Sequence, residues 1–295
     1  MAAFTLAHLS DPHLPPLPKA RLGDLAGKRA LGYLNWIRNR HKFHRRDVLD
    51  ALLADVQTQA PDQIAVTGDF VNLALAAEFE PARAWLESVG SPARVAIVPG
   101  NHDAYVRITR HRFNETFEEY LRGDAPAGGE PFPFLRRRGP LALIGVSSAV
   151  PTPPLMATGR LGRSQLDALD RMLNDLSAAQ AFRVLLIHHP LRSDSRVKRL
   201  TDSKPLLALL ERRGVDLILH GHDHVHSTLW VHGPTGAIPA IGVPSASAVA
   251  HGRYPAAAYN LFSISRDGAA WRCEQTVRGI DDTLRVRQLR QTRLV

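Results

Sequence analysis

The chain has 295 residues, of which 44% are hydrophobic and 22% are charged, a composition that excludes wholesale disorder and a coiled coil. Lysine and arginine number 37 against 28 aspartate and glutamate, and the resulting net charge of +9 favours anionic substrates, nucleic acid or acidic lipid headgroups as binding partners. Cys273 is the only cysteine, which excludes an internal disulfide and a thiolate metal cluster.

The sequence has no apolar stretch that is long enough to cross a membrane. Asp11 and His13 interrupt the N-terminal region where a signal peptide would carry its apolar core and cleavage site. We therefore expect a cytoplasmic protein.

Short apolar runs rich in β-branched residues alternate with segments of helical periodicity. Strands are predicted at 4–9, 63–67, 95–98, 141–146, 183–187, 215–219, 238–243, 259–264 and 271–276. Helices are predicted at 46–58, 76–88, 107–121, 164–176 and 203–213. Strand and helix alternate as far as Leu219, which predicts parallel βαβ units, and the strands that follow predict a second sheet of hairpins. We expect a single α/β domain, 1–295, with two sheets between helical layers.

Two segments interrupt this alternation. Residues 14–46 contain the basic sequence ALGYLNWIRNRHKFHRR, in which residues 30–37 have an amphipathic helical pattern. This helix either packs on its own domain, or caps the site, or lies on an acidic lipid surface through residues 30–46. His41 and His44 belong to the basic run and are predicted to face solvent. Residues 149–159 are rich in proline and predict a second long loop.

Five short polar motifs each follow a predicted strand. They are SDPH (10–13), GDFVN (68–72), GNHD (100–103), HHP (188–190) and GHDH (221–224). Because the carboxyl ends of parallel strands gather at one edge of a sheet, these motifs are predicted to meet in one cleft. Their carboxylate, amide and imidazole groups suit Mn, Fe or Zn. The candidate ligands are Asp11, His13, Asp69, Asn101, His188, His222 and His224.

Seven candidate ligands are too many for one tetrahedral ion. Two divalent metal ions that share the Asp69 carboxylate would use all of them, and such a pair suits in-line displacement at phosphorus. A single residue separates Asp11 from His13, so on an extended backbone both side chains would project to the same side. Gly100 and Gly221 are predicted to let the chain turn tightly beside the ions.

In this order, the five motifs resemble those of the calcineurin-like metallophosphoesterase superfamily, and the GNHD and GHDH forms look most like its bacterial cyclic-nucleotide phosphodiesterase branch. The resemblance runs from Asp11 to His224 and implies a four-layer αββα sandwich of two mixed β-sheets flanked by helices. It implies one metal site formed by Asp11, His13, Asp69 and His224. It implies a second metal site formed by Asp69, Asn101, His188 and His222.

The resemblance also implies catalytic functions for the GNHD motif. His102, together with Asn101, would bind the scissile phosphate and act as general acid while a metal-bridging hydroxide attacks phosphorus. Asp103 would orient or charge-stabilise the His102 imidazole. His188 is favoured over His189 as the ligand by the family's H-x-P pattern, since side chains that alternate along a strand let only one of the two face the ions.

The predicted function is hydrolysis of a small anionic phosphodiester such as a cyclic nucleotide. A nucleotide-linked lipid pyrophosphate is an alternative substrate if the insertion caps the site, although hydrolases of that kind usually have arginine at the position of His102. A nuclease is less favoured, because no aromatic platform alternates with the basic residues. A binding scaffold without catalysis would not need the complete ligand set. The arginine-rich segment 276–295 is predicted as a strand or a tail, and it leaves a homo-oligomer contact open.

Overall fold

The computed structural model describes residues 3–107, 110–124, 130–177, 179–268 and 270–295. The strands in these residues are β1 (Phe4–Leu9), β2 (Gln63–Thr67), β3 (Val95–Val98), β4 (Phe134–Arg138), β5 (Leu141–Gly145), β6 (Phe182–Leu186), β7 (Leu217–His220), β8 (Ser227–His232), β9 (Ala237–Gly242), β10 (Ala258–Asp267), β11 (Ala270–Ile280) and β12 (Val286–Arg293). The helices are α1 (Lys28–Arg38), α2 (Arg46–Gln59), α3 (Ala76–Val89), α4 (Arg110–Thr116), α5 (Glu118–Leu121), α6 (Arg163–Asp175) and α7 (Ser203–Arg213). Short 3-10 turns, Leu22–Leu25 and Arg40–Lys42, flank α1.

The strands form two six-stranded mixed sheets. The first has the order β12-β11-β10-β1-β2-β3, in which β1, β2 and β3 are parallel and β10, β11 and β12 are antiparallel. The second has the order β4-β5-β6-β7-β9-β8, in which four central strands are parallel and the two edge strands are antiparallel.

Three apolar layers separate the two sheets and the helices. Leu52 of α2 and Trp85 of α3 are buried against one face of the first sheet. Leu169 of α6 and Leu206 of α7 are buried against the outer face of the second sheet. Between the sheets lies a third core, whose members include Leu6, Val98, Leu143, Leu186, Leu219 and Phe262. The predicted four-layer αββα arrangement of two mixed sheets is therefore confirmed.

The predicted division of strands between the sheets was wrong. The C-terminal strands do not build a sheet of their own, because β10 pairs with β1, from Phe4 opposite Ile264 to His8 opposite Asn260, and extends the first sheet. Instead, the parallel strands β1, β2 and β3 belong to the first sheet, and the parallel strands β5, β6 and β7 belong to the second. An antiparallel strand on β1 covers an edge that would otherwise present unpaired backbone groups.

Edge strands account for most of the elements that the periodicity did not predict. β4 reads FLRRR and β12 reads VRQLRQTR, so cations occupy positions where a central strand would carry apolar side chains. The helix predicted at 107–121 is present as α4 and α5, while residues 108 and 109 lie outside the described residues. Among the described helices, none is long and apolar enough to span a bilayer.

Candidate metal centre

The five polar motifs meet at the carboxyl ends of strands from both sheets. Asp11 follows β1, Asp69 follows β2 and Asn101 follows β3, while His188 follows β6 and His222 follows β7. Backbone hydrogen bonds tie neighbouring motifs together, with the Asp11 N–H donating to the Gly68 carbonyl at 3.0 Å and the Gly221 N–H to the His188 carbonyl at 3.1 Å. The cleft therefore lies where the two sheets meet, not at the edge of one sheet.

A first set of ligand atoms surrounds the Nε2 atom of His13. His224 Nε2 lies 3.2 Å from it and Asp69 Oδ2 lies 3.6 Å from it. His224 Nε2 in turn is 3.1 Å from Asp11 Oδ1. These four side chains are the ones that the resemblance assigns to one metal site.

A second set surrounds the Nε2 atom of His188. Asn101 Oδ1 lies 3.2 Å away, His222 Nδ1 lies 3.3 Å away and Asp69 Oδ2 lies 3.5 Å away. The same Asp69 oxygen thus approaches an imidazole nitrogen of each set. This is the position that a carboxylate bridging two ions needs.

The chemistry of these donors fits two divalent ions. Ligand atoms at 2.0–2.2 Å from a tetrahedral ion are roughly 3.4 Å apart, which is close to the separations in both sets. Groups of buried side chains that could hold an ion include Asp11, Asp69 and His188, whose ligand atoms lie within 4.8 Å of one another.

The buried carboxylates also demand positive charge. Burial disfavours the charged form of Asp69, but the neighbouring His188 and His102 imidazoles hold the pKa of its carboxyl well below the usual range. Burial likewise opposes a charge on His188, yet Asp69 raises the pKa of that imidazole to about 10. Two carboxylates enclosed with little solvent are stable only when cations compensate them.

Left-handed backbone brings the ligands into the cleft. Among the nine described non-glycine residues with positive φ, five are in the ligand set: Asp11 at 52°, His13 at 37°, Asp69 at 56°, His222 at 72° and His224 at 54°. Such conformations are uncommon for non-glycine residues and concentrate at functional sites. The expectation that Asp11 and His13 project together from an extended strand was therefore wrong, since both lie in a left-handed loop after β1.

Two positions beside the ligands require glycine, because neighbouring atoms approach their Cα atoms too closely for a side chain. A Cβ atom on Gly100 would overlap the side chain and the backbone nitrogen of Asp69. A Cβ atom on Gly221 would overlap the side chains of Ser10 and Asp11. The part of the prediction that concerns a Cβ clash at these two glycines is therefore confirmed.

The hydrogen bonds of Asp103 do not go to His102, the residue that it was expected to orient. Its carboxylate accepts hydrogen bonds from the backbone N–H groups of Asp69 at 2.9 Å and Gly100 at 2.8 Å, and from two further N–H groups after Asp69. It therefore joins the GDFVN and GNHD loops and does not orient His102. The Nδ1 of His102 hydrogen-bonds instead to the backbone carbonyl of Asn72.

The two adjacent histidines of the HHP motif point in different directions. His188 Nδ1 donates to the Thr67 carbonyl at 2.7 Å, which leaves Nε2 facing the ligand set. His189 hydrogen-bonds to Ser148 Oγ at 2.8 Å and to the Ala157 carbonyl at 3.1 Å, so it holds the loop 149–159. The geometry favours His188 over His189 as the ligand.

Two residues of the insertion reach the cleft, and neither was among the predicted site residues. His44 was expected to face solvent, but it is buried, hydrogen-bonds to Ser247 Oγ at 2.8 Å and places its ring centroid 4.8 Å from that of His13. Arg40 Nη1 lies 3.3 Å from His102 Nε2. Because α1 ends at Arg38 and Arg40 lies in the 3-10 turn that follows, no helical spacing in the sequence indicates that the two residues reach the cleft.

Two cavities adjoin the ligand sets, with volumes of about 280 and 330 Å³. Arg40, Asn101, His102 and Lys198 line both of them. The first cavity lies between α1 and the loop 149–159, so both of the segments that interrupt the sequence pattern form its walls.

Comparison with known proteins gives matches in sequence and in structure. A family model described as calcineurin-like phosphoesterase matches residues 4–226. A probable cyclic nucleotide phosphodiesterase from a Synechococcus species is 30% identical over 179 residues, which are 59% of this chain and 62% of that protein. The chain therefore spans less than two thirds of the length of this relative.

Solved structures share the fold at low identity. A dimetal phosphatase from Danio rerio superimposes with a TM-score of 0.66 and 13% identity over 99% of both chains. A purple acid phosphatase from yellow lupin seeds superimposes with a TM-score of 0.63 and 11% identity, over 94% of this chain and 52% of that one.

Proposed function

Because the chain belongs to the calcineurin-like phosphoesterase family, we propose that it is a phosphodiester hydrolase that acts on a small phosphodiester such as a cyclic nucleotide. The family depends on a dinuclear metal centre, and candidate ligand groups are present in this chain. The observation that carries the proposal is the position of Asp69 Oδ2, which lies 3.6 Å from His13 Nε2 and 3.5 Å from His188 Nε2. The printed name of the Synechococcus relative supports the choice of a cyclic nucleotide.

Seven residues would hold the ions. One site would comprise Asp11, His13, Asp69 and His224, and the other Asp69, Asn101, His188 and His222. The donors are nitrogen and oxygen atoms only, which favours Mn, Fe or Zn. When bound, the ions supply Lewis acidity that activates water and neutralises charge on the phosphoryl group.

His102 is the residue that would bind the scissile phosphate and, once its Nε2 is protonated, give a proton to the leaving group. Burial, aided by the charge of Arg40, lowers the pKa of this imidazole to about 4, so the proton on Nε2 would depend on the bound phosphate anion, which raises that pKa. Its Nδ1 is fixed by the Asn72 carbonyl, so the imidazole presents Nε2 to the cleft. Its ring centroid lies 4.9 Å from that of His13, which places the imidazole beside the first ligand set. Proton transfer by a group positioned in this way typically accelerates a reaction by a factor of about 10²–10⁴.

A panel of substrates tests the proposed function. The purified protein, loaded with Mn²⁺, should hydrolyse cyclic nucleotides or an aryl phosphodiester faster than aryl phosphomonoesters, lipid pyrophosphates and short nucleic acids. Turnover of monoesters alone would contradict the proposal. Metal binding without turnover of any ester would identify a binding scaffold instead.

A nucleotide-linked lipid pyrophosphate is a second candidate substrate because of one surface feature. The apolar side chains of Leu31, Leu155 and Val197 line the cavity beside His102 and remain substantially exposed. Apolar side chains at the mouth of a phosphate site suit an amphiphilic ester. A strong preference for lipid pyrophosphates in the substrate panel would select this candidate.

A further inference from the structure

Arg40 lies at the metal centre although it belongs to none of the five motifs. It occupies the 3-10 turn after α1, within the insertion 14–46. Its Nη1 donates towards His102 Nε2 at 3.3 Å and its Nη2 towards His44 Nε2 at 3.5 Å. The insertion therefore places a guanidinium group directly beside the residue that we propose to bind phosphate.

The partners of this guanidinium are unusual. The structure shows no ion pair between Arg40 and any carboxylate in the described residues, and its side-chain partners are two imidazoles. A partly buried guanidinium normally forms a bidentate pair with a carboxylate or a phosphate, because its planar fork matches two oxygen atoms. Two imidazole nitrogens are weaker acceptors than the oxygen atoms of an anion. The guanidinium of Arg40 therefore faces the cleft without a carboxylate partner from the described residues.

The guanidinium group of Arg40 adjoins two cavities. Arg40 lines both cavities, of about 280 and 330 Å³, and so does Lys198. A linear phosphodiester carries two organic groups on its phosphorus atom, whereas a cyclic nucleotide carries one ribose through both ester oxygens. A phosphoryl group bound between the two cavities would leave room for either arrangement.

We propose that Arg40 is a catalytic residue that binds a non-bridging oxygen of the scissile phosphoryl group, so that the insertion 14–46 completes the active site. This inference rests on the proposed function of the same site. The competing role is a positioning one, in which Arg40 only orients His102. In a positioning role Arg40 would act only through His102, so Arg40→Gln would weaken the binding of inorganic phosphate in the parent but not in the His102→Ala variant.

The experiment compares Arg40→Gln and Arg40→Lys with the parent protein, adds Arg40→Gln to the His102→Ala variant, and uses Arg38→Gln as a matched control. Arg38 is an exposed cation at the end of α1. Each protein is loaded with Mn²⁺, its metal content is measured, and its affinity for inorganic phosphate is determined by titration calorimetry. Turnover of an aryl phosphodiester gives kcat and KM for the same samples.

We expect Arg40→Gln to keep the parent metal content, to bind inorganic phosphate about tenfold or more weakly and to lose about 10²–10³ in kcat/KM. Arg40→Lys should recover part of both losses, because it restores the charge without the fork. Arg38→Gln should match the parent in all measurements.

Two results would overturn the inference. One is that Arg40→Gln, at full metal content, leaves the phosphate affinity unchanged either in the parent or in the His102→Ala variant. The other is loss of metal from Arg40→Gln and Arg40→Lys, which would make Arg40 a support of the metal centre. If the parent hydrolyses no phosphodiester and Arg40→Gln still weakens phosphate binding, the proposed function fails while the anion site at Arg40 stands.

Discussion

The hydrogen bonds of the His102 imidazole differ from those of the candidate metal ligands. Its imidazole is held by the Asn72 carbonyl on one side and approached by Arg40 on the other, whereas its neighbour Asn101 faces His188. We expect His102→Ala to retain both metal ions and to lose about 10²–10⁴ in turnover of an aryl phosphodiester. Elemental analysis and steady-state kinetics check this together.

His41→Ala is the control for that variant, since His41 is an exposed histidine in the same insertion. It should behave as the parent does. Parent-like turnover in His102→Ala would show that this imidazole takes no part in the reaction.

Gly100 gives a test of the backbone beside the bridging carboxylate. A methyl group there would overlap Asp69, so Gly100→Ala must displace either the Asp69 carboxylate or the GNHD loop. We expect more than about tenfold weaker metal binding, because displaced ligands lose their orientation. Gly23→Ala is the matched control, since a Cβ atom at Gly23 would meet no atom within 4 Å. Equal metal affinity in the two variants would contradict this account.

The residue types at the site were predictable from the sequence, but some contacts were not. The candidate ligands follow strands in five compact motifs, so their convergence follows from the topology. His44 lies in a basic run whose local pattern indicates a solvated surface, and only the tertiary fold brings it against Ser247, 203 residues away. Asp103 adjoins His102 in sequence, yet four backbone N–H groups compete successfully for its carboxylate.

At the scale of elements, one ion pair joins α2 to the C-terminal hairpin. Asp55 accepts hydrogen bonds from Tyr259 Oη on β10 at 2.6 Å and from Arg278 Nε and Nη2 on β11 at 2.6 and 2.7 Å. Partial burial would raise the pKa of Asp55, but the hydrogen bonds from Arg278 and Tyr259 hold it below its usual value. The folded state therefore binds this proton less readily than the unfolded state does.

Asp55→Asn should lower the free energy of unfolding by about 1–2 kcal/mol at pH 7. Because the folded pKa is depressed, the contribution of Asp55 is complete above the unfolded pKa of about 3.9 and is lost as the pH falls through the folded pKa. The difference between parent and variant in urea unfolding should therefore shrink below about pH 4.

The control for Asp55→Asn is Asp50→Asn on the same helix. Asp50 pairs with Arg46 in an exposed i,i+4 bridge, which is expected to contribute less than about 0.5 kcal/mol. An effect of Asp55→Asn as small as that of the control, or one that does not change with pH, would refute the coupling of α2 to the hairpin.

Periodicity predicted most central strands and helices, because their apolar residues repeat with the period of the element that buries them. It did not predict which sheet each strand joins. The alternation of β10 fits any half-buried antiparallel strand, and only its register with β1, in which Leu6 pairs with Phe262, places it in the first sheet.

At the scale of the whole molecule, the core between the sheets packs against the strands whose carboxyl ends carry the candidate ligands. Leu219 of β7 is fully buried in that core, two residues before Gly221 and three before His222. Leu219→Ala should lower the free energy of unfolding by about 2–5 kcal/mol, since it leaves a cavity between two sheets. Thermal or urea unfolding checks this. Leu289→Ala, at an exposed leucine on β12, should change stability by less than about 0.5 kcal/mol, and a comparable loss in both variants would contradict the role of the inner core.

The central claim is that the motifs of two sheets form two metal sites that share the carboxylate of Asp69. Elemental analysis of the protein, after loading with Mn²⁺ and removal of free metal, tests this most directly. We predict two ions per parent chain, and fewer in Asp69→Asn, which keeps the shape of the side chain but removes its charge. A parent chain that retains no ion, or an Asp69→Asn variant that retains two, would contradict the account.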